Sequence, residues 1–405
     1  MFVTIQRNAR VRGTVNNLPS SKSISNRALL INVLSGNQSV VSNLSTARDT
    51  QLMQALINSP DKLIDVMDAG TTMRFLTAFF ALTGQNKILT GTPRMKQRPI
   101  ALLVNALREL GVSIAYLEKE GFPPIEIKAF AGQKANSVSL PGDVSSQYIS
   151  ALMMTAPLLP QGLTIRIEGP IGSRPYIEMT ASLMKTFGVT CDFNGHSIHI
   201  PPTPYQPSHL MVEADWSAAS YWFAFTALAE EAELRLPHVS KQSLQGDRVI
   251  VEVMERLGVR SVFQPDTAIL SKQAHADSIE WDFRDCPDLA QTVLPVCAAK
   301  GIPGLFTGME SLRIKETDRI AALQTELGKT GAKLTEEKTG HWKLTPAKLV
   351  GFVSIETYHD HRMAMGFAPW ATLAKLRIAE PEVVNKSYPG FWEDMRTVGF
   401  EIQDG

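Results

Sequence analysis

Seven basic residues stand at or beside the openings of segments that read as helices: Lys22, Arg27, Arg98, Lys315, Arg319, Arg362 and Lys386. Small polar residues accompany them. Ser21, Ser23 and Ser25 surround Lys22; Gly70, Thr71 and Thr72 precede Arg74; Ser145, Ser146 and Gln147 form a third set. A helix amino terminus offers unpaired N–H groups and a partial positive charge, which together suit phosphate or carboxylate. At any single opening, capping explains Ser, Thr or Asp more economically. The accumulation of cations changes that balance, because burying a charge without a partner is expensive and an anionic ligand removes the cost. The expected chemistry is recognition of small anions at helix mouths.

Other chemistries are weaker. His359, Asp360 and His361 in "YHDHR" invite a metal, but neighbours at a helix start point in divergent directions and no distant set completes a shell. Cys191, Cys286 and Cys297 form no CxxC pair, so neither a disulfide framework nor a thiolate metal site is expected, and a reducing compartment fits. Forty basic residues balance forty acidic ones, which argues against a nucleic-acid partner. The aromatic run Tyr221, Trp222 and Phe223 reads as core packing rather than a base-stacking platform. The start "MFVTIQRNARVRG" has no signal-type apolar region, and no window reaches the roughly 18 uninterrupted apolar residues of a membrane span. A soluble, cytoplasmic protein is expected.

The elements that must position these residues recur along the chain. Six apolar segments begin at "SKSISNRALLINVL", "AGTTMRFLTAFFAL", "SSQYISALMMTAPLL", "DWSAASYWFAFTALA", "CPDLAQTVLPVCAA" and "HDHRMAMGFAPWATLA". They are apolar on nearly all sides, as helices in a domain interior are. A second, amphipathic family interleaves: "RPIALLVNALRELGV", "RPYIEMTASLMKTFGV", "GDRVIVEVMERLGV", "TDRIAALQTELGKTGA", "PGFWEDMRTVGF" and, more weakly, "TARDTQLMQALINS". Pro99 and Pro175 suit a first helical turn, and Gly111, Gly188 and Gly258 suit a left-handed end. Short β-branched runs such as "SVVSNL", "LTIRIEG", "SIHI" and "GFVSIE" read as strands between them. Six units of about 65 residues make two domains of three units the economical reading, ahead of one long solenoid.

The motifs "LPSSKSISNRALL", "DAGTTMRFLTA", "PRMKQRPIALLVNALRELG", "SSQYISALMMTAPLL", "SRPYIEMTASLMKTFGV", "CPDLAQT", "RIKETDRI" and "HDHRMAMGFA" resemble those of the 5-enolpyruvylshikimate-3-phosphate synthase family, in family order over nearly the whole chain. The opening around Lys22 separates this family from the related UDP-N-acetylglucosamine enolpyruvyl transferases, whose reactive-cysteine loop has no counterpart around "RMKQRPI". The resemblance implies an α/β fold of two inverse α/β barrel domains, each of three βαβαββ units, with the active site in the cleft between domains. The expected domains are 21–213 on the shikimate 3-phosphate side, and 1–20 with 214–405 on the phosphoenolpyruvate and acid/base side.

The implied reaction moves the enolpyruvyl group of phosphoenolpyruvate to the 5-hydroxyl of shikimate 3-phosphate and releases phosphate, with no metal or organic cofactor, as a step towards chorismate and aromatic amino acids. Carried over by motif, Lys22, Ser23, Arg27, Ser145, Ser146, Gln147, Ser173, Asp288, Ser311 and Lys315 contact shikimate 3-phosphate. Lys22, Gly70, Arg98, Gln147, Arg319, Arg362 and Lys386 hold phosphoenolpyruvate. Addition followed by elimination needs a proton taken from the hydroxyl and one given to the methylene carbon. Asp288 is expected as the base and Glu316 as the acid, with Lys22 polarising the developing charge. A silent anion-binding protein on the same fold would need neither carboxylate. The family's herbicide inhibitor, glyphosate, is expected to compete with phosphoenolpyruvate near Gly70 and Thr71, and the protein is expected to be a monomer.

Three positions depart from the commonest family pattern: Ser20 replaces a glycine, Asp68 an asparagine, and Ser311 an asparagine. Asp68 either faces the phosphoenolpyruvate pocket, where a cation such as Arg98 must neutralise it, or caps the helix beginning at Ala69. The second reading is the expectation.

Overall fold

The computed structural model describes residues 1–349 and 351–405. The chain divides into two compact units: an inserted unit, Lys22–Ser45 with Asp49–Val212, and a flanking unit, Met1–Ser21 with Thr46–Arg48 and Glu213–Gly405. The division differs slightly from the expected boundaries, because Ser21 and Glu213 belong to the flanking unit and a short excursion at 46–48 joins it. Hydrogen bonds explain the first difference. Ser21 N donates to Glu213 O at 2.8 Å, Asp215 N donates to Pro19 O at 2.8 Å, and Ser20 bridges Ala214.

The inserted unit repeats one pattern. Strand Leu63–Asp65, helix Gly70–Leu82, strand Lys87–Thr90, helix Ala101–Glu109 and the hairpin of Val112–Tyr116 with Ile125–Phe130 form a βαβαββ unit. Its first two strands pair in parallel, and the hairpin adds antiparallel partners. Ser137–Pro141, helix Ser146–Thr155, Leu163–Glu168, helix Arg174–Thr186 and the hairpin Asp192–Phe193 with Ser197–Ile200 repeat it. The third unit is abbreviated. His209–Met211 pairs in parallel with Val40–Ser42 beside helices Lys22–Leu34 and Arg48–Leu56, but no hairpin joins this sheet among the described residues. Only residues 57–62 separate the second helix from the next strand, too short a stretch for two more strands and a turn.

The flanking unit holds three complete versions. Ile279–Asp282, Gly304–Thr307, His341–Thr345 and Lys333–Lys338 make one four-stranded sheet with helices Ala290–Lys300 and Arg319–Gly328. In the next, Arg10–Thr14 is the first strand, parallel to Glu231–Pro237, so the inserted unit lies in sequence between this strand and its helix Trp216–Leu228. The last sheet orders Val353–Ile355, Leu376–Ala379, Phe2–Ile5 and Ile402–Asp404. Phe2–Ile5 thus closes a unit begun some 350 residues later in the chain.

Each unit has its own apolar core. The six apolar segments supply the central helices, and all six amphipathic ones fold as helices around them. Every residue of Trp216–Leu228 is buried except Ser217, and every residue of Gly70–Leu82 except Thr71. Each large apolar side chain so buried contributes about 1.5–3 kcal/mol. The only residue that escapes burial in either helix is therefore a hydroxyl in the first turn, which fixes where the helix offers polarity. Tyr221, Trp222 and Phe223 are core residues, with Trp222 stacked on Phe225 at 5.1 Å. Gly188 and Gly258 end their helices at φ +85° and +97°, where a side chain would be strained. Pro175 lies in a first helical turn as expected, whereas Pro99 precedes its helix, which starts at Ala101 with Ile100 as N-cap.

Candidate active site

In the inserted unit, Lys22 is the first helical residue of Lys22–Leu34, and its Nζ pairs with Asp49 Oδ2 at 3.1 Å. One turn on, Arg27 is fully enclosed. Its guanidinium donates to Thr180 Oγ1 at 2.8 Å, Ser23 O at 3.0 Å and Ser150 Oγ at 3.1 Å, between the rings of Phe75 and Tyr176. No carboxylate pairs with it among the described residues, and burial pulls its pKa down to about 10 against a weaker opposing effect of Tyr176. A cation held this way is short of negative charge, and a nearby anion would supply it.

Ser145 caps helix Ser146–Thr155 by accepting from Gln147 N at 3.4 Å, so the bland capping role applies to this serine. Gln147 Nε2 donates to Thr71 Oγ1 at 3.1 Å, which ties this opening to that of Gly70–Leu82. Ser173 is the N-cap residue of Arg174–Thr186 in a left-handed conformation, φ +54°, and its side chain makes no capping bond. Arg98 lies across the face of Gly70: a Cβ there would stand 2.6 Å from Nη1 and 2.7 Å from Nη2. The loop after Arg98 is pinned at Pro99 O, which accepts from Arg74 Nη2 at 2.9 Å and from the Tyr148 hydroxyl. The expected capping role of Asp68 is corrected. Ala69, not Asp68, is the N-cap of Gly70–Leu82.

In the flanking unit the expected residues gather on one guanidinium. Buried Arg319, the first residue of its helix, donates from Nη1 to Asp288 Oδ1 at 2.8 Å, from Nη2 to Glu316 Oε2 at 2.9 Å and from Nε to Asp360 Oδ2 at 2.7 Å. Arg362 Nη2 reaches Asp288 Oδ2 at 3.1 Å, Lys315 Nζ lies 3.6 Å from Asp288 Oδ1, and Lys386 Nζ lies 3.7 Å from Glu316 Oε1. Burial works against ionisation of Asp288, but Arg362, Lys315 and Arg319 together hold its carboxyl well below the usual carboxylate range. Burial likewise opposes the charge on Arg319, and Asp360, Glu316 and Asp288 override it and raise its pKa. Ser311 stands apart. It lies in the turn Glu310–Ile314 and makes no hydrogen bond to the cluster.

Several members were not picked out from the sequence as site residues. Asp360 both caps helix His361–Phe367, accepting from Arg362 N at 2.9 Å, and fixes Arg319, so the "HDH" run is a cap and a buried ion pair. Among the described residues, no cluster of three or more His, Cys, Asp or Glu side chains is arranged to hold a metal. The N-cap preference for Asp before an apolar run was the available signal. Asp49, which pairs with Lys22, lies in the first turn of an amphipathic helix and looked like ordinary helix-start acidity. Tyr221, read as core alone, also receives Arg362 Nη1 at 3.4 Å through its hydroxyl.

Two units of repeated βαβαββ pattern, with cations and carboxyl groups brought to helix openings, define an anion-handling enzyme of the inverse α/β barrel class. The fold is similar over its full length to a solved EPSP synthase from Acinetobacter baumannii, with a TM-score of 0.77 at 19% identity and complete coverage of both chains. The family model for EPSP synthase (3-phosphoshikimate 1-carboxyvinyltransferase) matches residues 5–59 and 54–395. A 3-phosphoshikimate 1-carboxyvinyltransferase of Bacteroides fragilis is 46% identical over 402 residues, and one of Escherichia coli is 36% identical over 427, each alignment covering 98% of both chains. The chain belongs to the EPSP synthase family.

Proposed function

We propose that this chain transfers the enolpyruvyl group of phosphoenolpyruvate to the 5-hydroxyl of shikimate 3-phosphate, with Asp288 and Glu316 as the proton-transfer pair. The observation that carries the proposal is the single guanidinium of Arg319 shared by both carboxylates at 2.8 and 2.9 Å. Simple anion binding gains nothing from carboxylates beside its cations. A reaction that removes one proton and delivers another does.

Asp288 takes the proton of the 5-hydroxyl as its oxygen bonds to the second carbon of phosphoenolpyruvate, and Glu316 gives a proton to the methylene carbon. The resulting tetrahedral ketal then loses phosphate, which takes up the proton held by Asp288, and a methyl proton, which returns to Glu316, so both carboxyls end as they began. Lys22 stabilises charge at the reacting oxygens. Ser23, Arg27, Ser145, Ser146, Gln147, Ser173, Ser311 and Lys315 serve shikimate 3-phosphate; Gly70, Arg98, Gln147, Arg319, Arg362 and Lys386 serve phosphoenolpyruvate. Together the two substrates carry two phosphates and two carboxylates, and each close opposite pair is worth about 4 kcal/mol before desolvation at an effective dielectric near 20. The arginine forks add orientation to that attraction. The protein acts as a cytoplasmic monomer without a metal or organic cofactor, and glyphosate competes with phosphoenolpyruvate at Gly70 and Thr71. An inhibition pattern with no competition even at millimolar glyphosate would remove that last assignment.

The central test is phosphate release measured with each substrate alone and with both. Release is expected only with both, and release from phosphoenolpyruvate alone, or none at all, refutes the reaction. Two narrower results are expected. Gly70→Ala drives the added methyl into the guanidinium of Arg98 and should raise KM for phosphoenolpyruvate on the order of ten- to a hundredfold, the scale of a displaced positioning group. Its melting temperature should stay near the parent's, since a side-chain tip rather than backbone must yield. Arg27→Ala should abolish the rise in melting temperature that shikimate 3-phosphate gives the parent through preferential binding to the native state. An undiminished shift in calorimetry would take Arg27 out of that subsite.

A further inference from the structure

We infer that Asp247, acting through Ser217, is a positioning residue that sets the guanidinium of Arg362 for phosphoenolpyruvate. The inference rests on the reaction proposed above. Asp247 lies in the turn Gly246–Val249 and is only 2% exposed. Its Oδ2 accepts the proton of Ser217 Oγ, while its Oδ1 has no hydrogen-bond partner among the described residues. Ser217 is the one residue of Trp216–Leu228 that is not buried. Its lone pairs, left open by the bond to Asp247, receive Arg362 Nη2 at 3.3 Å. The same nitrogen donates to Asp288 Oδ2 at 3.1 Å, and Nη1 reaches Tyr221 OH and Asp288 O, both at 3.4 Å.

The donors run one way, from Arg362 to Ser217 to Asp247. An ionised Asp247 can only accept, which fixes that direction; the other oxygen, Oδ1, has no hydrogen-bond partner among the described residues, so an added proton is satisfied only on Oδ2. Once protonated, its carboxyl donates back to Ser217, whose own proton must then turn away from Asp247, towards the side where Arg362 also presents a donor. The turn itself is braced: Gln245 Nε2 donates to Ala214 O at 2.7 Å, and its Oε1 accepts from Trp216 N at 3.1 Å. Asp247 is therefore held against the start of the helix that carries Ser217.

A purely structural role predicts the opposite chemistry. A buried carboxylate with one neutral hydroxyl donor and no ion pair among the described residues is a poor stabiliser compared with an amide. Burial pushes the pKa of Asp247 up to about 6, with Arg362 opposing. The charged and titratable groups facing it are Arg362, Asp288, Asp215 and the Cys286 thiol. A carboxyl whose pKa is raised on folding favours the native state below its unfolded value near 4, and that favour is lost as the pH rises through about 6. At pH 8 the ionised Asp247 is thus kept at the expense of stability, which is the mark of a residue retained for its charge.

The test compares Asp247→Asn, Ser217→Ala and the double variant with the parent, using both substrates across pH 5–8.5. At pH 8, Asp247→Asn should raise KM for phosphoenolpyruvate roughly ten- to a hundredfold, the scale of one hydrogen bond to a charged group, with KM for shikimate 3-phosphate within about twofold. Ser217→Ala should match it, and the double variant should be no worse than either. The phosphate of the substrate also titrates near pH 6, so the readout is the parent-to-variant ratio of kcat/KM, which should fall towards one below pH 6. Asp247→Asn should melt above the parent at pH 8, the gap closing by pH 5. Equal KM values at pH 8, or a pH-independent loss accompanied by a lower melting temperature, overturn the inference while parent turnover leaves the reaction standing. A parent that releases no phosphate with both substrates overturns both.

Discussion

Arg319→Ala is expected to lower the melting temperature by about 10 °C and to abolish measurable turnover. Arg319 is the common partner of Asp288, Glu316 and Asp360, and Asp360 is fully buried. Removing one member of a buried ion pair costs about 3–5 kcal/mol, because the charge left behind has neither water nor a partner. For units of this size each kcal/mol moves the melting temperature by roughly 2–4 °C. Arg319→Lys keeps a charge but not the fork, and one ammonium cannot face three carboxylates in fixed directions. It should recover part of the stability and little of the activity. Calorimetry showing Arg319→Ala within about 2 °C of the parent would mean that the carboxylates are held by something else.

Asp288→Asn should lower kcat by roughly 10²- to 10⁴-fold, the usual contribution of a positioned acid–base group. The parent carboxyl poses a problem that this variant addresses. Arg362, Lys315 and Arg319 hold it far below the usual range, and a base so weak removes an alcohol proton poorly. In the proposed reaction, phosphates and carboxylates that engage the same cations would lower the field on Asp288 and raise its basicity where the hydroxyl arrives. The depressed pKa also sets a stability contribution of definite sign: present above the unfolded value near 4, and lost as the pH falls towards the folded one. Asp288→Asn should therefore show a weaker acid dependence of unfolding than the parent. A variant that keeps parent kcat across pH 6–9 would pass the role of base to another group.

Much of this was readable in the sequence because it was repeated. The helices Gly70–Leu82 and Trp216–Leu228 announce themselves by apolar residues on every side, a pattern that fits only an interior. The cations at other helix openings, such as Lys22, Arg319 and Arg362, were legible for the complementary reason: charge beside so much apolar surface needs an explanation. The partners of those cations were harder to see. Asp49, Asp360 and Asp247 are single acidic residues at helix starts or in turns, where acidic residues are commonplace, and only three-dimensional proximity separates an ion pair from a cap. Ser217 was hidden more deeply, since its significance lies in being the exception on an otherwise buried helix. The abbreviated third unit was expected to be complete, although the short stretch 57–62 between helix and strand was visible all along. The N-cap expected at Asp68 fell one residue on, at Ala69, the margin within which helix starts are poorly placed from sequence.

The strand pairing at the chain ends has a consequence for biosynthesis. Phe2 and Gly405 exchange backbone hydrogen bonds at 3.1 and 3.0 Å, and Phe2–Ile5 lies between Leu376–Ala379 and Ile402–Asp404, strands translated more than 300 residues later. At roughly 5–20 residues per second, that first strand waits some tens of seconds on the ribosome without its partners, while the contiguous stretch behind it can already collapse. Until those later strands emerge, Phe2–Ile5 stands as an unpaired β-edge, the kind of segment that pairs wrongly when left exposed.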